Sequence, residues 1–358
     1  MRKQETMNPL LKESDKWLDM EAPHQHVVIS SRIRLARNIS RIPFATHAKE
    51  EELAEIHRLV ENTIQSRVPL KNFQPITLHD VSVMERRYLK ESHIISPEME
   101  KGSPFRLVYV SPDFRVSIMV NEEDHIRIQG LAPGLQLMEI FHCIVEIDNE
   151  LLDNLHPAFS DQYGFLTACP TNLGTGLRVS VMMQLPALVL TRKIDEVLEN
   201  IQPLGIAVRG FYGENSEFVG DIYQVSNEIS LGKSEEEILN MLLNIILNII
   251  DKEEKAREDL FLDRILSTED IIWRSYGILS QARLMDSQEA MKLLSRIRLG
   301  IDRGYFRSLN HYQLNKLIID IQPAHLQSNE DGEEGTEARD MARADLLRHI
   351  FNAPGAKN

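Results

Sequence analysis

The chain reads as an α+β protein, with a largely antiparallel sheet flanked by helices over residues 1–256 and an all-helical domain over residues 257–358. Three observations predict this. Short apolar alternations recur across the first two thirds of the chain with turn signals between them, the period-2 pattern of half-buried strands. Ser111-Pro112-Asp113 joins two of them as a hairpin turn, so antiparallel pairing follows. After Leu231-Gly232-Lys233 almost only helical periodicity remains.

Taken in order, residues 27–33 form a strand. Leu53, Ile56, Leu59, Val60 and Ile64 then share one face of a helix over 49–65, with Thr46 as its expected cap. Residues 107–128 read as successive strands, and the alternation Val116, Ile118, Val120 runs on into Asn121-Glu122-Glu123-Asp124-His125-Ile126-Arg127-Ile128. The stretch 131–155 is too apolar for an exposed helix and is expected to pack on the sheet. Strand signals return at 178–185, 205–209 and 217–225. Ser234 and Glu237 make a capping box that opens the helical region. Residues 238–250, interrupted by Asn240, Asn244 and Asn248, fall short of the about 20 apolar residues a membrane span needs and read as a buried helix. The charged stretch 251–259 is the expected domain boundary, and the acidic run 328–337 an expected mobile loop.

With 42% hydrophobic and 26% charged residues among 358, the chain can bury one large or two ordinary cores. A net charge of -14 disfavours nonspecific nucleic-acid binding, which needs a basic surplus, without excluding a local basic pocket. Only Cys143 and Cys169 occur and the first ten residues are polar, so neither a disulfide framework nor a signal peptide is expected, and the expected location is cytoplasmic.

Four segments carry candidate chemistry. If Asn121 to Ile128 is strand, Glu123, His125 and Arg127 line one face and Glu122 and Asp124 the other. Such a run is either a solvated strand end or a wall that grips a cationic nucleophile with a carboxylate and a phosphate with a guanidinium. Ser30, Arg32 and Arg34 share another strand face. Two like charges 4 Å apart repel by about 4 kcal/mol at an effective dielectric of 20, so either a polyphosphate lies between them or they are solvated edge-strand gatekeepers. Cys169-Pro170-Thr171-Asn172-Leu173-Gly174-Thr175-Gly176-Leu177-Arg178 is a glycine and hydroxyl turn delivering an arginine, an anion nest or an ordinary loop. Arg209-Gly210-Phe211-Tyr212-Gly213-Glu214 ends a strand on an arginine and adds a carboxylate.

Together with Val225-Ser226-Asn227, these ordered segments resemble the phosphagen kinase family of ATP:guanidino phosphotransferases. The resemblance implies that Ser30, Arg32, Arg34, Arg127, Arg178 and Arg209 hold the phosphates of ATP, with His93 beside the nucleotide. It implies that Glu123 and Glu214 grip the acceptor guanidinium, that Glu122 places Mg2+ through water, and that Cys169 is a positioning thiol beside the guanidinium. The chemistry is coherent: a protonated guanidinium is a poor nucleophile, and two carboxylates can align one nitrogen and take its proton while cations stabilise the moving phosphoryl group.

Only 29 residues precede Ser30, and a helical region follows Gly232; both features resemble the bacterial protein-arginine kinase branch of the family. Arg339-Asp340-Met341-Ala342-Arg343-Ala344 resembles that branch's phosphoarginine-binding motif, Arg339 and Arg343 lying one helical turn apart. The resemblance implies protein substrates with accessible arginines, a homodimer, a Clp-type ATPase that recognises phosphoarginine, a heat-shock repressor as client and a zinc-binding activator. Two rival functions remain at this level: a kinase of free arginine, and a noncatalytic phosphoarginine adaptor.

Overall fold

The computed structural model of the protein describes residues 8–211, 218–307, 309–327 and 335–353. Glu214 and residues 328–334 of the acidic run lie outside the described residues. The centre of the fold is an eight-stranded sheet whose strands run β1 (Val28–Arg37), β2 (Gln74–Thr77), β3 (Leu107–Val110), β4 (Val116–Val120), β5 (Ile126–Pro133), β8 (Leu177–Gln184), β9 (Ile206–Arg209) and β10 (Ile222–Asn227). Their order across the sheet is β2-β3-β4-β5-β1-β8-β10-β9, every pairing antiparallel, and β6 (Phe159–Ser160) and β7 (Gly164–Phe165) form a separate small hairpin. The expected α+β architecture is therefore observed.

One face of the sheet is covered by α3 (Leu137–Leu152), which is shorter than the expected 131–155 because Leu131 to Pro133 still belong to β5. Its Leu137, Ile140, Ile144, Ile147 and Leu151 are buried, each contributing roughly 1.5–3 kcal/mol when fully removed from water. Gly130 makes the approach possible, since a Cβ there would come within 2.5 Å of the Ile140 methyl. Cross-strand partners share a face, so Gly130 and its partner Ile33 face α3, whereas Arg32 and Arg34 face the other way.

The helix α1 (Glu50–Ser66) starts one turn later than a cap at Thr46 would place it: the amide of Lys49 donates to Glu52 at 2.7 Å, and Thr46 instead contacts His47. Helix α2 (Val83–Glu91) precedes the loop bearing His93, and β8 and β9 are joined through α4 (Pro186–Leu190) and α5 (Ile194–Ile201). The capping box at Ser234 opens α6 (Glu235–Asp263), a single helix that runs through the charged stretch expected to separate two domains. Glu253 within it is fully buried and accepts from the amides of Ala187 and Leu188 at 3.0 and 2.9 Å, satisfying the start of α4. Within that stretch Glu253 and Arg257 are buried and pack between the sheet region and the helices. The remainder is α7 (Ile265–Gln281), α8 (Ser287–Asp302), α9 (His311–Asp320), α10 (Pro323–Gln327) and α11 (Thr336–Phe351). No helix among the described residues is long and apolar enough to cross a membrane.

Candidate active site

Register alone gathers the arginines. Arg34 stands directly opposite Arg178 on β8 and opposite Gln129 on β5; Arg127 stands opposite Ala36, two residues further along the same face of β1. Arg32 faces Ser180, Ser180 faces Ser226 on β10, and Gln224 faces Arg209 on β9. Four strands thus present Arg32, Arg34, Arg127, Arg178 and Arg209 to one side. Ser30 lies on that face at the bulged start of β1, and is buried.

Arg32 and Arg34 stand mainly among other cations. Arg32 donates to Gln224 Oε1 at 2.8 Å and to Ser180 Oγ at 3.3 Å, both neutral, and Arg178 reaches Ser226 Oγ at 3.3 Å. The buried Nε of Arg34 has no acceptor among the described residues. Burial first, then the neighbouring Arg178, Arg127 and Arg209, pull the Arg32 guanidinium down to about 10. Arg34 is held well below its ordinary value by burial, then by Arg32, Arg127 and Arg178. A polyanion seated here would relieve both the desolvation and the repulsion.

The segment Asn121 to His125 departs from the expected strand: β4 ends at Val120, β5 begins at Ile126, and the five residues between them are a hairpin turn with Asn121 in the left-handed region at φ 59°. The face assignment read from alternation fails accordingly. Glu122 and Glu123 both engage Arg127, at 2.6 and 3.1 Å. Glu122 is 1% exposed and also accepts from Ser96 Oγ at 2.6 Å and from the Glu123 amide at 2.7 Å. His125 is fully buried away from the site, accepting from the Ile39 amide at 2.9 Å and lying 2.7 Å from the Pro43 carbonyl. Glu123 remains half-buried at the rim, and its carboxyl is raised above the ordinary value by burial, with Arg127 opposing.

Asp124 proves to be the fastener of the turn. Its Oδ1 accepts from Asn38 Nδ2 and from the Ala168 amide, both at 2.7 Å, which ties the Glu123 turn to the loop carrying Cys169. Cys169 is half-buried there with its Sγ 3.1 Å from Thr171 Oγ1. That loop is held from β1 by Arg37, which donates to the Thr175 carbonyl at 2.9 Å and pairs with Asp148 at 2.7 Å. Gly176 has φ 68°, and a Cβ there would sit 2.6 Å from the Ala36 carbonyl oxygen. Asn38, Ser96, Gln129, Ser180 and Gln224 were not singled out from sequence, because their importance lies in contacts far along the chain. His93, at φ 62°, sits edge-on to Trp17 and Phe211 and is pushed down to about 3 by burial, then by Arg32, so its ring is neutral.

A divalent ion fits this donor set only indirectly. Glu122 already accepts from three donors, so the protein could meet a magnesium-sized ion through waters on bound phosphates rather than through a carboxylate cage. Arg339, Asp340 and Arg343 lie apart from the arginine face, on α11. Arg343 is 2% exposed and donates to the carbonyls of Ile321 and Met285 at 2.9 and 2.8 Å and to Asp340 at 2.7 Å, while Arg339 is half-buried and reaches Thr336.

Residues 55–256 match the family described as ATP:guanido phosphotransferase, C-terminal catalytic domain, and residues 266–358 match the protein-arginine kinase McsB C-terminal domain. Among solved structures, a lombricine kinase aligns with a TM-score of 0.58 at 26% identity, covering 64% of this chain and 67% of that one. The duplicated taurocyamine kinase of Schistosoma mansoni aligns with a TM-score of 0.60 at 25% identity; 65% of this chain is covered but only 34% of that longer one. The fold is thus that of a guanidino kinase catalytic domain. Curated protein-arginine kinases from Geobacillus sp. (strain WCH70) and Bacillus subtilis (strain 168) are 45% and 44% identical over 334 residues, covering 93% of this chain and 92% of theirs. The chain belongs to the protein-arginine kinase family.

Proposed function

We infer that the protein transfers the γ-phosphoryl group of ATP to arginine side chains of proteins. The observation that carries the inference is the convergence of Arg32, Arg34, Arg127, Arg178 and Arg209 on one sheet face with the Glu123 carboxylate at its rim. The arginines bind the triphosphate and offset charge on the moving phosphoryl group. Mg2+ bound to the phosphates would supply further positive charge there. Glu123, with Glu214 as the proposed second carboxylate, orients the acceptor guanidinium and takes its proton; the raised affinity of Glu123 for a proton suits that task. Neutral His93 packs beside the nucleotide, Ser30 lines its phosphate end, and Cys169 positions the guanidinium.

Residues 257–358 are proposed as a helical domain for dimerisation and phosphoarginine binding, with Arg339 as the reachable cation, Asp340 on the ligand's guanidinium and Arg343 anchoring the helix. A cytoplasmic setting, a Clp-type ATPase that removes marked proteins, a heat-shock repressor as client and a zinc-binding activator complete the proposal. Incubation with Mg-ATP and an arginine-rich unfolded protein should give a base-stable, acid-labile phosphoramidate, detected by mass spectrometry, and Glu123→Gln should slow it by about 10²–10⁴-fold. Acid-stable phosphate on serine, threonine or tyrosine alone, or a preference for free arginine over the protein, would overturn the reading.

A further inference from the structure

His24, Gln25 and His26 precede β1, and the side chains of His24 and His26 meet Glu254 of α6. One ligand-type atom from each of the three lies within 4.8 Å of the others, and His26 Nε2 stands 2.6 Å from Glu254 Oε1. None of them belongs to the phosphoryl-transfer site. We propose that His24, His26 and Glu254 form a binding site for a divalent transition-metal ion of the zinc class, bridging the entry to β1 and helix α6.

The backbone around the two histidines is held in place by the fold. Arg298 donates to the Gln25 carbonyl at 2.9 Å and Arg257 to the His26 carbonyl at 3.0 Å, and both arginines are buried. The His24 carbonyl accepts from the amides of Val27 and Val28 at 3.0 and 2.7 Å, and His24 itself is held in the left-handed region at φ 57°. A β-substituted residue adopts that conformation only where its surroundings impose it, and such positions cluster at ligand sites. The loop is therefore preorganised with two imidazoles on the side of α6. A third histidine stands behind them: the His311 ring centre is 6.2 Å from that of His26, its Nε2 lies 2.8 Å from Asp302, and its buried Nδ1 has no partner among the described residues.

Two imidazoles and one carboxylate suit zinc, nickel or copper ions, and a tetrahedral ion with bonds of about 2.0–2.1 Å sets its ligand atoms about 3.3 Å apart. The His26–Glu254 pair needs to open by less than an ångström to admit it. As the ion takes Nε2 of His26, a neutral imidazole carries its hydrogen on Nδ1 and a protonated one gives its extra proton to water, so binding weakens as the histidines protonate. The three side chains are part-exposed, so water completes the coordination and the ion can exchange with solvent.

The test uses the full chain. Zinc titrated in a calorimeter should occupy one site per chain, and Co2+ should give a visible ligand-field band without the thiolate charge-transfer absorption that Cys143 or Cys169 would produce. Zinc should also raise the thermal midpoint of the native chain. The double variant His24→Ala/His26→Ala should lose the site, the band and the thermal shift. His26→Gln, which keeps a hydrogen-bonding side chain beside Glu254, should fold with an unchanged metal-free midpoint and still fail to bind zinc. Undiminished zinc binding by a folded His26→Gln variant, a thiolate band, or no zinc binding by the native chain at micromolar concentration would each overturn the proposal and leave His26 and Glu254 as a plain ion pair.

Discussion

The arginines of the sheet face and those of the helical region are chemically alike and physically opposite. Arg257 on α6 is 7% exposed yet bonds Glu253 at 2.9 Å and the His26 carbonyl at 3.0 Å, and pairs with Asp302; Arg296 pairs with Asp221 at 2.6 Å. Both of these buried cations have an anion beside them, while Arg298 on α8 is held by the neutral oxygens of Gln184, Gln25 and Asn315. On β1, Arg32 instead bonds serine and glutamine, and Arg32 and Arg34 stand among other arginines. Arg127 is matched by Glu122 and Glu123. The difference teaches that burial of an arginine says little about function until its acceptors are counted. A cation satisfied within the protein holds the fold, and a cluster left with neutral partners is built for an anion from outside.

The contrast breaks most visibly under substitution. Arg257→Met leaves Glu253 buried without its cation and should destabilise the chain by about 3–5 kcal/mol, read from denaturant unfolding. Arg34→Met should leave stability unchanged or raise it, because it removes a repelled charge, while lowering kcat/KM for ATP by about 10–100-fold through the loss of a charge-assisted phosphate contact worth roughly 1.5–3 kcal/mol. A large loss of stability in Arg34→Met would sink the distinction. Arg343→Lys gives up the planar fork that reaches Ile321, Met285 and Asp340, and should cost about 1–3 kcal/mol in unfolding free energy. If instead its stability is native and only phosphoarginine binding falls, Arg343 belongs with the ligand-facing set.

The smallest effect is in pH dependence. Burial raises the Glu123 carboxyl, so it holds its proton to higher pH than an exposed glutamate would. The active form is the ionised one; activity should therefore fall as pH drops through that raised value, placing the acid limb of kcat/KM above the ordinary glutamate range. His93 works in the other direction for stability. Its folded value of about 3 lies below the unfolded value near 6.5, so the unfolded chain takes up the proton first and stability should decline as pH falls through that interval. His93→Gln should flatten that decline in an acid-unfolding series.

Much of this was legible from residue order. Alternation located β1, β8, β9 and the apolar face of α3, and the capping box at Ser234 marked the start of α6, because burial on one face imposes a period that composition cannot hide. The arginines of the site were found because each ends or lines such a strand. The turn at Asn121 to His125 was misread for an equally physical reason: a tight hairpin turn whose polar groups are satisfied by the distant Asn38 carries no glycine or proline to break the alternation. The burial of Glu253 within the charged stretch of α6 was not legible, because it depends on amides of Ala187 and Leu188, more than sixty residues away.

Local order therefore settles which residues can share a face, since that follows from the period of a strand or helix over a few neighbours. It does not settle which cations keep a protein anion and which are left for a ligand. That is decided by strand register and helix packing, which set Arg34 opposite Arg178, close Glu122 onto Arg127, and bring His24 and His26 against Glu254 from the far side of the chain. Electrostatic interactions depend on distance and burial, and both are properties of the assembled fold.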